Sequence, residues 1–163
     1  VTDTGNKRVV VFDSNLNYLA QFGGGGFEAG QFDEPVGISV NSTGQIIVAD
    51  TWNRRVQTFQ SDSTGLEFFS TNSFDVSAWY GQGIDNKPYL TTDGENNIFI
   101  SDPEVGRILK FNSFGDFLVG YQDINTSDDL ISYPFGMDVD ANDNLWFCDG
   151  ASNILSFINV STQ

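Results

Sequence analysis

An all-β fold built of four-stranded antiparallel units is what this sequence predicts, and three observations predict it. The first is a repeated hairpin phrase. Residues 46–59 read Ile-Ile-Val-Ala-Asp-Thr-Trp-Asn-Arg-Arg-Val-Gln-Thr-Phe: a strand, a tight polar turn and a second strand. Residues 1–12 and 98–111 repeat the phrase, and 145–157 hold a worn copy. The anchoring acids are Asp3, Asp50, Asp102 and Asp149, so the steps are 47, 52 and 47 residues. A period in this range marks a repeat architecture, whose units bury their faces by stacking. The second observation is that no long segment carries the i, i+3, i+4, i+7 apolar spacing of an amphipathic helix. The third is a recurrence of short β-branched and aromatic runs, about every 8–12 residues, between turn signals. Four strands per repeat of this length fit a β-propeller blade. Sandwiches and barrels space their strands as evenly but do not repeat in fours.

Taken in order, residues 1–3 are the tail of a strand and 7–13 a second strand, rich in β-branched residues. Residues 13–17 form a polar turn into a third strand at 18–22. The glycine-rich stretch 23–34 reads as a flexible inter-blade linker. A strand at 36–40, the turn Asn41-Ser42-Thr43-Gly44, and strands at 45–50, 54–60 and 66–70 follow. After a long connection at 71–87 the cycle restarts with strands at 88–92, 97–102, 107–112 and 116–121. A second connection at 122–133 leads to strands at 134–138, 144–149 and 153–158. Grouped by repeat, 1–22 is the C-terminal half of a blade, 35–70 and 88–121 are full blades, and 134–160 is a partial blade, all of one propeller domain. Both ends supply a third strand, so they do not complement each other. The expectation is an open partial propeller. The start at Val1, in mid-repeat and without Met, reads as an excerpt of a longer chain that holds the remaining blades.

The phrase Pro-x-Gly-[Ile/Met]-x-Val, an apolar strand and then Asp-x-x-Asn-x-Arg-[Val/Ile]-x-x-Phe resembles the NHL repeat. The matching residues are 35–40, 134–139 and the hairpins above, and 21–35 resembles the linker between two such blades. The third blade departs from the pattern, since Pro88-Tyr89-Leu90-Thr91-Thr92 lacks the glycine and Pro103-Glu104-Val105-Gly106 replaces the turn. The fourth hairpin has no Arg. The resemblance implies a propeller of about six blades and, as its commonest role, non-catalytic binding.

Composition narrows the function. With 22 acids against 7 bases the net charge is −15, which repels phosphate backbones, so nucleic acid is not an expected partner. RNA binding, which the resemblance associates with basic faces, is disfavoured on the same ground. The absence of His removes the usual general base and the commonest metal ligand. Cys148 is alone, so no internal disulfide or Cys-based zinc site forms, and its strand predicts burial as a small hydrophobe. No apolar run is long enough to span a membrane. The acidic, Asn- and Phe-rich make-up points to an extracytoplasmic, secreted or periplasmic setting.

Candidate sites follow. The pairs Asp3/Arg8, Asp50/Arg55 and Asp102/Arg107 place a carboxylate and a guanidinium five residues apart across a tight turn. A catalytic pair is rarely repeated in every unit, so these read as structural turn latches. Gly24, Gly26 and Ala29 fit a loose dinucleotide fingerprint, but 30–35 cannot form the helix it requires. Residues 140–144 resemble the start of a calcium loop, yet Leu145 replaces its glycine and Ala151 its glutamate, so a plain turn is expected. The acidic loop 123–129 has no metal-ligand spacing, and no cofactor or metal is expected. Acceptor patterns for N-glycosylation at Asn41, Asn125 and Asn159 are as frequent as chance supplies. The loop face gathers Phe27, Phe32, Trp52, Trp79, Tyr80, Asp85, Asp128, Asp129 and Tyr133 on one rim. Of these, Trp52, Tyr80, Asp85, Asp129 and Tyr133 are the binding candidates. Aromatics with carboxylates suit carbohydrate, peptide, protein or cationic partners. The competing reading packs Phe27, Phe32 and Trp79 beneath long loops. The alternative function is part of a propeller-type hydrolase or lyase, lactonase-like, with its catalytic residues in other blades. Here only Asp93 and Asp138 fall near inner strands, and an amidating lyase would need His ligands that this chain lacks.

Overall fold

A computed structural model of the chain describes residues 1–81, 83, 87–122, 131–151 and 154–160. It contains fourteen strands and, among the described residues, one turn of 3-10 helix at Thr4–Asn6 as the only helical element. The strands form four antiparallel sheets in simple meander order, and none closes on itself. The chain divides into two compact units, Val1–Tyr80 and Gly81–Gln163.

The first unit holds two sheets. One is β1 (Thr2–Asp3), β2 (Arg8–Phe12) and β3 (Tyr18–Gly23). The other is β4 (Pro35–Val40), β5 (Ile46–Asp50), β6 (Arg55–Ser61) and β7 (Phe68–Asp75). Val9, Phe32, Val48 and Phe59 are buried together between them, with Phe22, Ile38 and Ile46 against the cluster. The rings of Phe22 and Phe59 lie 4.8 Å apart and those of Phe22 and Phe68 stack at 4.7 Å, the offset spacing that aromatic quadrupoles favour. From Ile47 to Asp50, β5 is buried without alternation, so its small and β-branched residues meet cover on both faces.

The second unit holds β8 (Leu90–Thr92), β9 (Ile98–Asp102), β10 (Arg107–Phe111) and β11 (Phe117–Tyr121), then β12 (Pro134–Val139), β13 (Asn144–Asp149) and β14 (Ile154–Asn159). Phe99, Ile108, Tyr121, Ile131, Leu145, Phe147, Ile158 and Val160 make its core.

Sequence motifs account for local geometry. The Pro-x-Gly phrase encodes a β-bulge, with register shifts between Pro35 and Ile38 and between Pro134 and Met137. β8, which lacks the glycine, is only three residues long and pairs with β9 without a shift. The turns opposite the latches share one device. An Asp or Asn at the first position accepts the N–H groups two and four residues on, as Asp13 does from Asn15 and Asn17 and Asp93 from Glu95 and Asn97. The fourth position of each takes a left-handed conformation, as at Leu16 (φ 64°) and Asn96 (φ 67°).

Three expectations are corrected. β7 runs to Asp75 rather than ending at Ser70, because Phe68, Ser70, Asn72 and Phe74 alternate inward although the middle of the strand is polar. Cys148 is exposed, on the face of β13 opposite buried Leu145 and Phe147. The glycine-rich stretch 23–34 is not a flexible linker. Phe32 is fully buried, Gly25 and Phe32 form a bridge, and a Cβ on Gly23 (φ +108°) would lie 2.6 Å from the Phe32 ring.

Candidate functional site

The β5–β6 turn is assembled around the Asp50 carboxylate, which is wholly buried. Arg55 Nε donates to Oδ2 at 2.7 Å, Asn53 Nδ2 at 2.9 Å and Gln57 Nε2 at 3.1 Å, while the Asp33 N–H donates to Oδ1 at 2.6 Å. Four donors leave this carboxylate committed, and a charged acceptor of charged and neutral donors is stable when so satisfied. The donors then reach outward. Arg55 Nη1 donates to the Phe27 carbonyl at 2.7 Å, and its Nη2 donates to the carbonyls of Glu28 and Gln31 at 3.0 and 2.9 Å. Asn53 donates to the Gly26 carbonyl at 2.8 Å, and Gln57 exchanges hydrogen bonds with Gln31 and Gly30. The 23–34 loop is thus pinned by side chains of the hairpin that follows it.

Variants of this arrangement recur. Arg8 Nε donates to Asp3 and Arg107 Nε to Asp102, each at 2.8 Å. The Arg8 guanidinium, with the Asn6 amide, holds the Asp3 carboxyl below its usual range. The fourth hairpin has Ile154 opposite Asp149, and backbone groups take the place of arginine. The N–H groups of Ser132, Tyr133 and Ala151 donate to Asp149 at 2.8, 3.3 and 2.9 Å.

At the tip of the β5–β6 turn the backbone is fixed on both sides. Thr51 Oγ1 donates to the Glu34 carbonyl at 2.6 Å, the Trp52 N–H to that of Asp33 at 3.1 Å, and the Val76 N–H to that of Arg54 at 2.8 Å. Asn53 turns inward to Asp50, while the side chains on either side of it point out. Trp52 is 56% exposed, and Arg54, in a left-handed conformation (φ 51°), lays its guanidinium 4.8 Å over the ring of Tyr80, itself 69% exposed. Phe27, whose carbonyl Arg55 holds, is 75% exposed.

The other rim residues sort differently. Phe32 and Trp79 are buried, and so belong to packing rather than to a surface. Tyr133 lies in the second unit, half-buried, edge-on to Phe135 at 4.9 Å. Asp85, Asp128 and Asp129 lie outside the described residues. Arg54 was missed because a base in the hairpin reads as part of the latch. The available signal was that the latch needs only one of Arg54 and Arg55, and that Gly106 stands at the position of Arg54 in the third copy.

The calcium-like stretch is a turn. Asp140 accepts the N–H groups of Asn142 and Asn144 at 2.8 and 3.0 Å, and Trp146 Nε1 at 2.8 Å. The Trp146 indole, then Asn144, holds this carboxyl well below its ordinary value. Asn41 is buried, and its amide donates to Gln45 at 3.0 Å. Asn125 lies outside the described residues. No helix among the described residues is long and apolar enough to cross a membrane.

Four-stranded antiparallel meanders, recurring along the chain and tied at one end by an aspartate, define a β-propeller array. Virginiamycin B lyase from Staphylococcus aureus has this fold. It superposes with a TM-score of 0.62 over 99% of this chain and 51% of that one, at 15% identity. Residues 32–59, from buried Phe32 through β5 to buried Phe59, match the family model of the NHL repeat. The chain thus carries an NHL repeat within a β-propeller fold. It is 30% identical over 124 residues to the B-box type zinc finger protein ncl-1 of Caenorhabditis elegans, and 28% identical over 124 residues to the protein brain tumor of Drosophila melanogaster. Each match covers 76% of this chain, which spans 14% and 11% of those proteins respectively.

Proposed function

We propose that this chain is a non-catalytic binding scaffold that holds a protein, peptide or glycan partner on the loop face of its first unit, through Trp52 and Tyr80. The observation that carries the reading is a tryptophan, Trp52, left more than half exposed on a turn whose backbone is hydrogen-bonded on both sides, with a second exposed aromatic, Tyr80, held against Arg54 of the same turn. Rigid aromatic anchors lose little entropy on binding, which is why they dominate recognition surfaces. Chemistry on the substrate is disfavoured by what the chain offers. It has no His, and the Asp50 carboxylate is saturated by structural donors. The net charge of −15 opposes nucleic acid. Screening the chain against glycan and peptide arrays tests the proposal. Ligands retained by the wild type should weaken roughly 30-fold in Trp52→Ala, the effect of truncating a hot-spot residue. Retention that is indifferent to both Trp52→Ala and Tyr80→Ala would retire it.

A further inference from the structure

We infer that Arg54 makes this loop face specific for a protein partner that presents an Asp or Glu carboxylate between apolar side chains. The inference rests on the binding reading above and names the chemistry that the site selects.

The chain is rich in acids, and five of its seven bases lie against them. Lys7 meets Asp33 at 2.7 Å, Arg8 meets Asp3 at 2.8 Å, Arg55 meets Asp50 at 2.7 Å, Arg107 meets Asp102 at 2.8 Å, and Lys110 lies 3.9 Å from Asp93. Arg54 pairs with no carboxylate among the described residues, and its guanidinium lies on the Tyr80 ring instead. A guanidinium that meets a ring through its charge spends no hydrogen-bond acceptor on it, so its donor fork stays available to a carboxylate. It is also weakly hydrated, so it yields its water readily to an incoming anion. Trp52, two residues earlier on the same tip, supplies an apolar flank.

The exposure of the group decides the class of partner. A small-molecule site encloses most of its ligand and hence buries its own anchors. Phe27, Trp52 and Tyr80 are each more than half exposed. Tryptophan, arginine and tyrosine together on an open, rigid tip are the residue types that dominate protein–protein hot spots. A nucleic acid would bring a row of phosphates to a strongly negative chain with a single available guanidinium, whereas its binding needs several cations. One protein carboxylate needs one.

The test uses the 163-residue chain and a library of acidic–aromatic peptides, each with its Glu→Gln and Asp→Asn counterpart, and a single-stranded RNA oligonucleotide as a separate arm. Peptides bound by the wild type should weaken at least tenfold in Arg54→Gln. They should weaken similarly when their own carboxylate is replaced, and combining both changes should cost little more than either alone. Arg54→Lys should fall between, because it keeps charge but loses the fork. Binding that depends on Trp52 but ignores Arg54→Gln and the peptide carboxylate overturns this inference and leaves the scaffold reading standing. Absence of any peptide binding counts against both, and preferential retention of the RNA overturns the carboxylate assignment. Arg54→Gln alters an exposed side chain whose partner is a ring face, so the chain keeps its fold and its melting temperature serves as the control.

Discussion

The β5–β6 and β9–β10 turns are built on one plan and finished in two ways. Both start from a buried aspartate and end on an arginine that donates to it, at 2.7 Å for Asp50 and Arg55 and at 2.8 Å for Asp102 and Arg107. Both place a left-handed residue just before that arginine, Arg54 at φ 51° and Gly106 at φ 68°. At position 106 a Cβ would meet the Ile131 carbonyl oxygen at 2.5 Å, so only glycine fits. At position 54 the same backbone bears a long side chain that reaches out to Tyr80. The tip residue differs too, Trp52 in one and Glu104 in the other. The ion pair is the constant of the design and the tip its variable, which is why the proposed binding is assigned to the tip.

Breaking the constant part has the largest expected effect. Asp50→Ala leaves Arg55, Asn53, Gln57 and the Asp33 N–H facing a site with no acceptor. Removing one partner of a buried charged network costs about 3–5 kcal/mol. Urea denaturation should show this as a lower midpoint, and an unchanged midpoint would contradict the structural role of the pair. Next comes the contrast between the left-handed positions. Gly106→Ala meets both an unfavourable φ and a backbone oxygen, for about 2–4 kcal/mol of lost stability. Arg54→Gly should be neutral or stabilising by up to about 1 kcal/mol, since glycine is the unstrained residue there. Equal losses at the two positions would erase the distinction. The smallest effect is on pH dependence. Asp3, Asp13, Asp62 and Asp140 are held below their ordinary values chiefly by Arg8, Asn17, Thr64 and Trp146 respectively. With folded pKa values below the unfolded ones, the unfolded chain takes up protons first. Their contribution is therefore intact above about pH 4 and is lost as pH falls below it. A denaturation midpoint that holds or rises on acidification below pH 4 would rule this out.

Much of the fold was legible because strand, turn and repeat signals agree at each level. The period read at Asp3, Asp50, Asp102 and Asp149 marks, in all four copies, a strand end bound to the next segment. The missing Arg of the fourth hairpin was legible, but its replacement was not, because backbone N–H groups carry no residue identity. The same limit hid the extent of β7, where polar Ser-Thr-Asn-Ser forms a strand because flanking phenylalanines face inward. It also hid the rigidity of residues 23–34, whose anchors lie more than twenty residues downstream at Asn53, Arg55 and Gln57. Of the binding candidates, Trp52 and Tyr80 were legible as exposed aromatics. Their companion Arg54 was masked by the neighbouring arginine that the latch requires.

Those downstream anchors also turn position along the chain into order in time. A nascent chain that has emerged as far as Val48 possesses the whole glycine-rich loop and the Phe32 ring that must seat beneath it, yet none of Asp50, Asn53, Arg55 or Gln57. Until translation has delivered Asn53, Arg55 and Gln57, the carbonyls of Gly26, Phe27 and Gln31 lack the side-chain donors that hold them in the folded chain. The β5–β6 hairpin therefore completes the loop before it, and residues 23–34 can set only after later residues have emerged.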